Sequence, residues 1–195
     1  SNSDKTVQLL PNNNLISYYQ YDFAVSSTLK SKTGNKYAGF TNWFITSLDS
    51  TNKFPLITDD ELLTLIQRRT FKYFYDFADP SSGMARERNT SGTTVTTGGS
   101  GFGVMALVVG MERNFITRNE GVTRLTKIVG FLETADRFHG AWPHWINGST
   151  GKVIPFSTND NGGDLVETAF MIQGLITVRQ YLNPAVAAEK SLIDR

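Results

Sequence analysis

Three acidic side chains near a glycine-rich stretch are the residues of this sequence best placed to do chemistry. Asp160 precedes Gly162 and Gly163, and Asp164 and Glu167 follow them. Residues three apart share a helix face, so we expect Asp164 and Glu167 to lie side by side. Cleavage of a glycosidic bond requires a carboxylic acid and a carboxylate about 5–9.5 Å apart. The spacing therefore predicts a trio that transfers protons and positions water.

A second interpretation of the same residues stays open. Asp-x-x-Glu is also a helix start, with Asp164 at the N-cap and Glu167 at the third helical position. A helix N-terminus favours ionised carboxylates, so a general acid there needs burial or a neighbouring charge to raise its pKa. Asp160 is the neighbour whose negative charge would raise the pKa of Asp164.

The irregular segment 137–163 contains both histidines and two of the three tryptophans. Loops longer than about 12–15 residues are usually functional or disordered, and this aromatic density argues for order. Trp142 and Trp145 would stack on sugar rings while His144 bonds a sugar hydroxyl. The alternative is that both indoles cover the mouth of the fold and His144 caps a backbone group.

Two other candidate sites have weaker signals. Arg86 is a candidate clamp for sugar hydroxyls, with a surface ion-pair cluster as the alternative. Asp136, His139 and His144 are conceivable zinc ligands. However, histidines five apart do not share a helix face and no other strong ligand lies near in the sequence. We therefore expect no metal site.

Helix signals indicate which elements position these groups. Residues 58–61 and 117–120 have the capping-box form, and apolar residues at helical spacing follow each. Both segments therefore predict the start of an amphipathic helix, with one apolar face. Residues 102–110 and the run from 164 to about 182 are apolar around their circumference, which is typical of helices buried on all sides. Asn183 and Pro184 predict the start of a last one-sided helix that runs through Leu192.

Amphipathic helices thus alternate with fully buried helices along the chain. This order requires two layers of helices with the polar faces of the amphipathic helices towards solvent. Toroids of α-hairpins have that pattern. A closed (α/α)6 toroid needs about twelve helices of typical length, and 195 residues hold about five. We expect a mainly α, incomplete (α/α)6 toroid over residues 58–195. Its open apolar faces would self-associate or be covered by a missing C-terminal part.

Residues 1–57 differ from the rest because aromatic residues flank a turn-rich run at 30–35, which predicts a β-rich or extended arm. The net charge of +1 argues against nucleic acid as a partner. Cysteine is absent, which excludes disulfides and a cysteine nucleophile. No stretch approaches the roughly 20 apolar residues that span a bilayer.

Residues 62–182 also resemble the bacterial glycoamylase-like family, which includes the endo-β-1,2-glucanases of glycoside hydrolase family 144. Four long segments carry the resemblance: TFKYFYDFADPSSGMARER, VTTGGSGFGVMALVVGMERNFITR, FLETADRFHGAWPHWING and GGDLVETAFMIQGLITVRQYL. The family's domain runs well beyond Arg195 and includes another cleft glutamate. The resemblance therefore covers only the N-terminal part of that domain.

The resemblance implies an (α/α)6 barrel that hydrolyses a glucan, an oligo- or polysaccharide, with water and no metal or organic cofactor. It implies that the acidic trio lines the sugar cleft, with Trp142, His144 and Trp145 in the cleft wall. Family members are typically exported, which implies a periplasmic, extracellular or cell-surface location. Two alternatives remain: an exo-acting, glucoamylase-like hydrolase of α-glucans, and a non-catalytic glycan-binding protein on the same fold.

Overall fold

A computed structural model describes residues 8–195 of the chain, and residues 1–7 of the predicted arm lie outside it. The chain divides into two compact units, residues 1–56 and 57–195. In the first unit, strands β1 (Gln20–Val25) and β2 (Phe40–Ile45) form an antiparallel pair. One face carries rings from both strands, with Phe44 packed against Tyr21 and Phe23. Part of the predicted arm is therefore a β-hairpin with an aromatic face.

The second unit contains five helices and a small antiparallel sheet in the order β3-β4-β5. Its elements are α1 (Asp59–Tyr75), β3 (Thr94–Thr96), α2 (Thr97–Glu112), α3 (Arg118–Thr134), β4 (Trp145–Asn147), β5 (Val153–Ile154), α4 (Leu165–Tyr181) and α5 (Ala187–Ile193). The mainly α prediction, with about five helices, is confirmed within the described residues.

Two helices begin at the predicted capping boxes. The Thr58 hydroxyl accepts the Glu61 amide at 3.3 Å, and the Glu61 carboxylate accepts the Thr58 amide at 2.8 Å. Thr117 and Glu120 repeat this reciprocal pair at the start of α3. Both boxes form because each uses donors and acceptors within four residues of chain.

The last helix begins later than predicted. The Asn183 side chain accepts the Ala185 amide at 3.0 Å and closes a local turn, so α5 starts at Ala187. The Asn183 amide is bound by buried Glu189 at 2.7 Å, and Glu189 also forms a two-bond ion pair with Arg118 of α3. This ion pair, with Glu189 buried and Arg118 partly exposed, joins α5 to α3.

Helices α2 and α4 cross in backbone contact. A Cβ atom added at Gly101 would overlap the carbonyl oxygen of Phe170, and one added at Gly174 would overlap the carbonyl oxygen of Gly101. The glycine-rich start of α2 therefore lets the two helix backbones pack closely. Around this crossing lies the core, which includes Val104, Leu107, Leu125, Ile128, Ile146 and Met171.

The prediction that α4 is buried on all sides is wrong for this structure. Met171, Gly174 and Val178 are its buried residues, whereas Leu165 is 79% exposed and Ile176 is 51% exposed. Helix α2 likewise exposes Phe102 and Val109, and α1 exposes its predicted core positions Leu62, Leu65 and Ile66. Apolar residues around a helix indicate a surface that favours burial. The described residues cover only part of this apolar surface on α1, α2 and α4.

We predict opposite effects for two glycine-to-alanine substitutions in helices. Gly101→Ala forces α2 away from the α4 backbone and should lower the free energy of unfolding by about 1–3 kcal/mol. Gly130→Ala, in α3, meets only the flexible end of Arg195 and should raise it by up to about 1 kcal/mol through helix propensity. Urea unfolding followed by circular dichroism measures both. Equal effects of the two changes would contradict the backbone contact.

Candidate active site

The N-termini of α2 and α4 meet at the acidic cluster. Glu167, in the first turn of α4, accepts the Gly98 amide of α2 through Oε2 at 2.7 Å. Helix α2 has no acidic residue in its first turn, and its N-cap Thr96 makes no side-chain capping bond within residues 8–195. Glu167 therefore caps α2 from the neighbouring helix, where the positive end of the helix dipole favours its charge.

Gly98 permits this approach because it has no side chain. A Cβ atom there would lie 2.8 Å from Glu167 Oε2 and 3.0 Å from Oε1. Only one of the two hydrogen bonds of the predicted capping box of α4 therefore forms. Asp164 is the N-cap, but the Glu167 side chain goes to α2 instead of returning to Asp164.

Asp164 uses both of its oxygens. Oδ1 accepts the Val166 and Glu167 amides at 2.9 Å each, and Oδ2 lies 3.0 Å from His144 Nδ1. Burial raises the pKa of Asp164, but the hydrogen bonds from the two helix amides and from His144 outweigh it, so its pKa lies below the ordinary value. The expectation of a raised pKa from nearby Asp160 is wrong, and Asp164 is an ionised carboxylate at neutral pH.

Short hydrogen bonds hold the Trp-Pro-His-Trp segment between the two helices. Thr97, the first residue of α2, donates through its amide to the His144 carbonyl at 3.2 Å and through its hydroxyl to the Pro143 carbonyl at 2.5 Å. On the other side, the Asp164 amide donates to the Trp142 carbonyl at 2.8 Å. The aromatic segment and the acidic residues thus form one unit.

The two tryptophans of this segment have different environments. Trp142 is 8% exposed and its Nε1 donates to the Leu132 carbonyl at 3.2 Å, so this indole belongs to the core and offers no open face to a sugar. Trp145 is half-buried and packs on Phe156 with ring centroids 4.6 Å apart. Trp142 is therefore a core residue, and the place of Trp145 in a cleft wall stays a prediction.

Phe156 is a member of this cluster that the sequence did not indicate. Its ring is 49% exposed and lies 4.6 Å from His144 as well as from Trp145. Phe156 also donates its amide to the Asp160 carbonyl at 2.9 Å, closing the turn that carries Asp160. A lone phenylalanine in a polar loop has no periodicity, so no sequence pattern marks it.

Asp160 lies on an exposed turn rather than on a helix. Its backbone bonds that of Ser157, and its side chain makes no hydrogen bond to Asp164 or Glu167 within the part of the chain described. The structure thus brings Asp164 and Glu167 together and connects Asp160 to them through Phe156 and His144.

Arg86 lies beside the small sheet, bridged to Val95 of β3. Its Nε is buried and has no hydrogen-bond partner among residues 8–195, while its carbonyl accepts the Tyr73 hydroxyl at 2.6 Å. The ion pair expected in this run forms between Glu87 and Arg88 instead. Arg86 is therefore not a member of that pair.

The three conceivable zinc ligands have separate partners. Asp136 pairs with Lys152 at 2.9 Å, the His139 ring packs on Phe138, and His144 bonds Asp164. An apolar cavity of about 230 Å³ lies elsewhere, between the C-terminal half of α4 and helices α3 and α5. The acidic cluster therefore does not line this cavity.

The arrangement can hold one carboxylate ionised and keep two others available. Asp164 is bound on both oxygens, whereas Glu167 Oε1 and the Asp160 side chain have no hydrogen-bond partner among the described residues. Trp145 and Phe156 add ring surface next to His144. Carboxylates beside aromatic rings are a combination suited to binding and cleaving sugars.

Comparisons with known proteins agree with this chemistry. The chain is 52% identical over 146 residues to an exo β-1,2-glucooligosaccharide sophorohydrolase (non-reducing end) of Parabacteroides distasonis, a match over 73% of this chain and 20% of that protein. The endo-β-1,2-glucanase of Chitinophaga pinensis, solved with sophorotriose and glucose, matches with a TM-score of 0.68 and 55% identity over 71% of this chain and 35% of that one.

The structure of a β-1,2-glucanase from Parabacteroides distasonis matches with a TM-score of 0.68 and 45% identity, over 85% of this chain and 23% of that one. The chain thus spans about a fifth to a third of the length of these relatives. A family model described as "Protein of unknown function (DUF3131)" matches residues 66–166, just over half of the chain. The chain therefore belongs to the DUF3131 family and is a homologue of β-1,2-glucan hydrolases, which confirms the predicted resemblance.

Proposed function

We propose that the protein to which this chain contributes is a glycoside hydrolase that cleaves β-1,2-linked glucan internally. The observation that carries the proposal is the junction of Asp164 and Glu167 at two helix N-termini, beside His144. The 55% identity to an endo-β-1,2-glucanase supports the linkage and the endo mode. Its ligand is an oligo- or polysaccharide, and the fold is an incomplete (α/α)6 toroid.

In this proposal the acidic trio divides the work of hydrolysis. One carboxylic acid donates a proton to the leaving glycosidic oxygen, and a carboxylate accepts a proton from the attacking water. Asp164 is held ionised, so the proton donor is Glu167 or Asp160, whose oxygens are not both engaged. Trp145 and Phe156 offer ring faces to the sugar. Arg86 stays a candidate clamp for sugar hydroxyls.

A second candidate is exo-acting cleavage of β-1,2-glucooligosaccharides. It is favoured by the 52% identity to a sophorohydrolase that acts at the non-reducing end. The two modes differ in their products, since internal cleavage gives a ladder of oligosaccharides and this exo mode gives one disaccharide.

The family resemblance also supports a periplasmic or cell-surface location. Within residues 8–195, no helix is long and apolar enough to cross a membrane.

The first test is a chimera. Residues 57–195 replace the matching segment of the Chitinophaga pinensis endo-β-1,2-glucanase, and product size is followed on linear β-1,2-glucan. We expect a ladder of oligosaccharides, and Glu167→Gln in the chimera should lower turnover by about 10²–10⁴-fold. A folded chimera that releases no sugar would exclude the hydrolase proposal and favour a glycan-binding protein. Release of a disaccharide alone would exclude the endo mode.

The second test removes no functional group. Gly98→Ala places a methyl group against the Glu167 carboxylate and should displace it from the α2 amide. Because misplacement by about 1 Å can cost 10²-fold, we expect the chimera to lose about 10–100-fold in turnover. Its melting temperature should fall by no more than a few degrees, because only one helix cap is lost. Gly130→Ala is the matched control, and a Gly98→Ala chimera as active as this control would contradict the role of Glu167.

A third test concerns the open apolar face of α4. We propose that Ile172 and Ile176, both exposed, support self-association of the isolated chain, because monomers rarely leave such patches uncovered. Ile176→Lys should shift the chain towards monomer in sedimentation velocity at micromolar concentration. Thr123→Lys, the same charge change at an exposed position of α3, should not. An unmodified chain that sediments as a monomer would contradict the proposal.

A further inference from the structure

Asp164 and His144 are connected in a way that separates the roles of the two residues. Asp164 Oδ2 lies 3.0 Å from His144 Nδ1, while Asp164 Oδ1 is already occupied by two helix amides. The geometry assigns Asp164 as a positioning residue that fixes the Nδ1–H tautomer of His144, leaving Nε2 to accept a hydrogen bond from a sugar hydroxyl. This inference rests on the proposed function only for the identity of the sugar.

The tautomer follows from what each atom can offer. An ionised carboxylate has no proton to donate, so the hydrogen bond to Asp164 requires the proton on His144 Nδ1. In neutral imidazole the other nitrogen is then an acceptor. His144 Nε2 has no hydrogen-bond partner among residues 8–195 and is not among their buried, unsatisfied atoms. It is the free end of the pair.

The surroundings of His144 hold the ring in one orientation. Its carbonyl accepts the Thr97 amide of α2, and its ring packs against Trp145 and Phe156 with centroid distances of 5.8 and 4.6 Å. Three acidic residues lie near it: Asp164 in direct contact, Glu167 on the α2 amide next to Thr97, and Asp160 on the turn closed by Phe156. A ring fixed in this way presents Nε2 in a constant direction.

Asp164→Asn distinguishes positioning from helix capping. Asparagine caps helices as well as aspartate does, so Oδ1 of the new side chain can keep the Val166 and Glu167 amides. Its amide nitrogen then faces His144 Nδ1 and can only donate. The proton of His144 must move to Nε2, as it does in a catalytic triad whose aspartate is replaced by asparagine. The helix start is kept while the tautomer is inverted.

The measurement is a long-range ¹H–¹⁵N correlation spectrum of the labelled chain at about pH 9. The chain has two histidines, and exposed His139, whose ring packs on Phe138, is the internal control. We expect the Nδ1–H form of His144 in the unmodified chain and the Nε2–H form in Asp164→Asn, with His139 unchanged. An Nε2–H form of His144 in the unmodified chain overturns the assignment, and so does the same form in both proteins.

Thermal melting and a sugar probe complete the test. Asp164→Asn should melt within about 2 °C of the unmodified chain, and Asp164→Ala a few degrees lower because its cap is lost. Sophorose, the β-1,2-linked glucose disaccharide, should shift Nε2 of His144 and not the nitrogens of His139. An unmoved Nε2 at millimolar sophorose overturns the sugar contact. The tautomer is measured without any catalytic turnover. A wrong tautomer assignment is therefore distinguishable from a wrong hydrolase proposal, which an inactive chimera would reveal.

Discussion

Backbone contact between α2 and α4 is the constraint on which the rest of the second unit depends. Because Gly101 and Gly174 place no side chain between the helices, the two N-termini lie close enough for Glu167 to reach the Gly98 amide. A side chain at the crossing would separate the helices by more than a hydrogen bond tolerates. Thr97 and Asp164 then fix the Trp-Pro-His-Trp segment from both sides. Packing at the crossing thus determines the geometry of the acidic cluster.

The same junction determines the charge state of Asp164. Two carboxylates lie at two helix N-termini, where amide donors and helix dipoles offset the repulsion between them. Such an environment favours the ionised form, as the lowered pKa of Asp164 shows. The junction therefore suits carboxylates that accept protons and orient neighbours. A proton donor has to use an oxygen that the amides do not hold, such as Glu167 Oε1.

Sequence predicted the parts of this arrangement that depend on near neighbours. The capping boxes at Thr58 and Thr117, and Asp164 as N-cap, each involve atoms within about four residues. The partner of Glu167 lies 69 residues away at Gly98, and Asp-x-x-Glu contains no information about it. The local pattern therefore predicted the N-cap of α4 correctly and the wrong donor for Glu167.

Aromatic residues show the same limit. Clustering of tryptophans predicted an ordered segment, but composition cannot state which indole a core absorbs, and Trp142 is the buried one. Phe156 became visible only through its contacts with His144 and Trp145. Arg86 has a buried Nε that no described residue satisfies, which a run of charges does not reveal either. Each of these outcomes depends on tertiary packing.

The apolar flank of α4 connects stability to the site. Asp164 and Glu167 begin this helix, and Ile172 and Ile176 leave its middle exposed. Burying apolar surface contributes roughly 25 cal/mol per Å², and whatever binds only the folded chain stabilises it. Any protein surface that covers this flank therefore holds α4 against α2 more firmly. The Glu167 cap on Gly98 and the Asp164 bond to His144 both depend on the contact between α2 and α4. A surface that covers the apolar flank of α4 therefore also helps to order these two carboxylates.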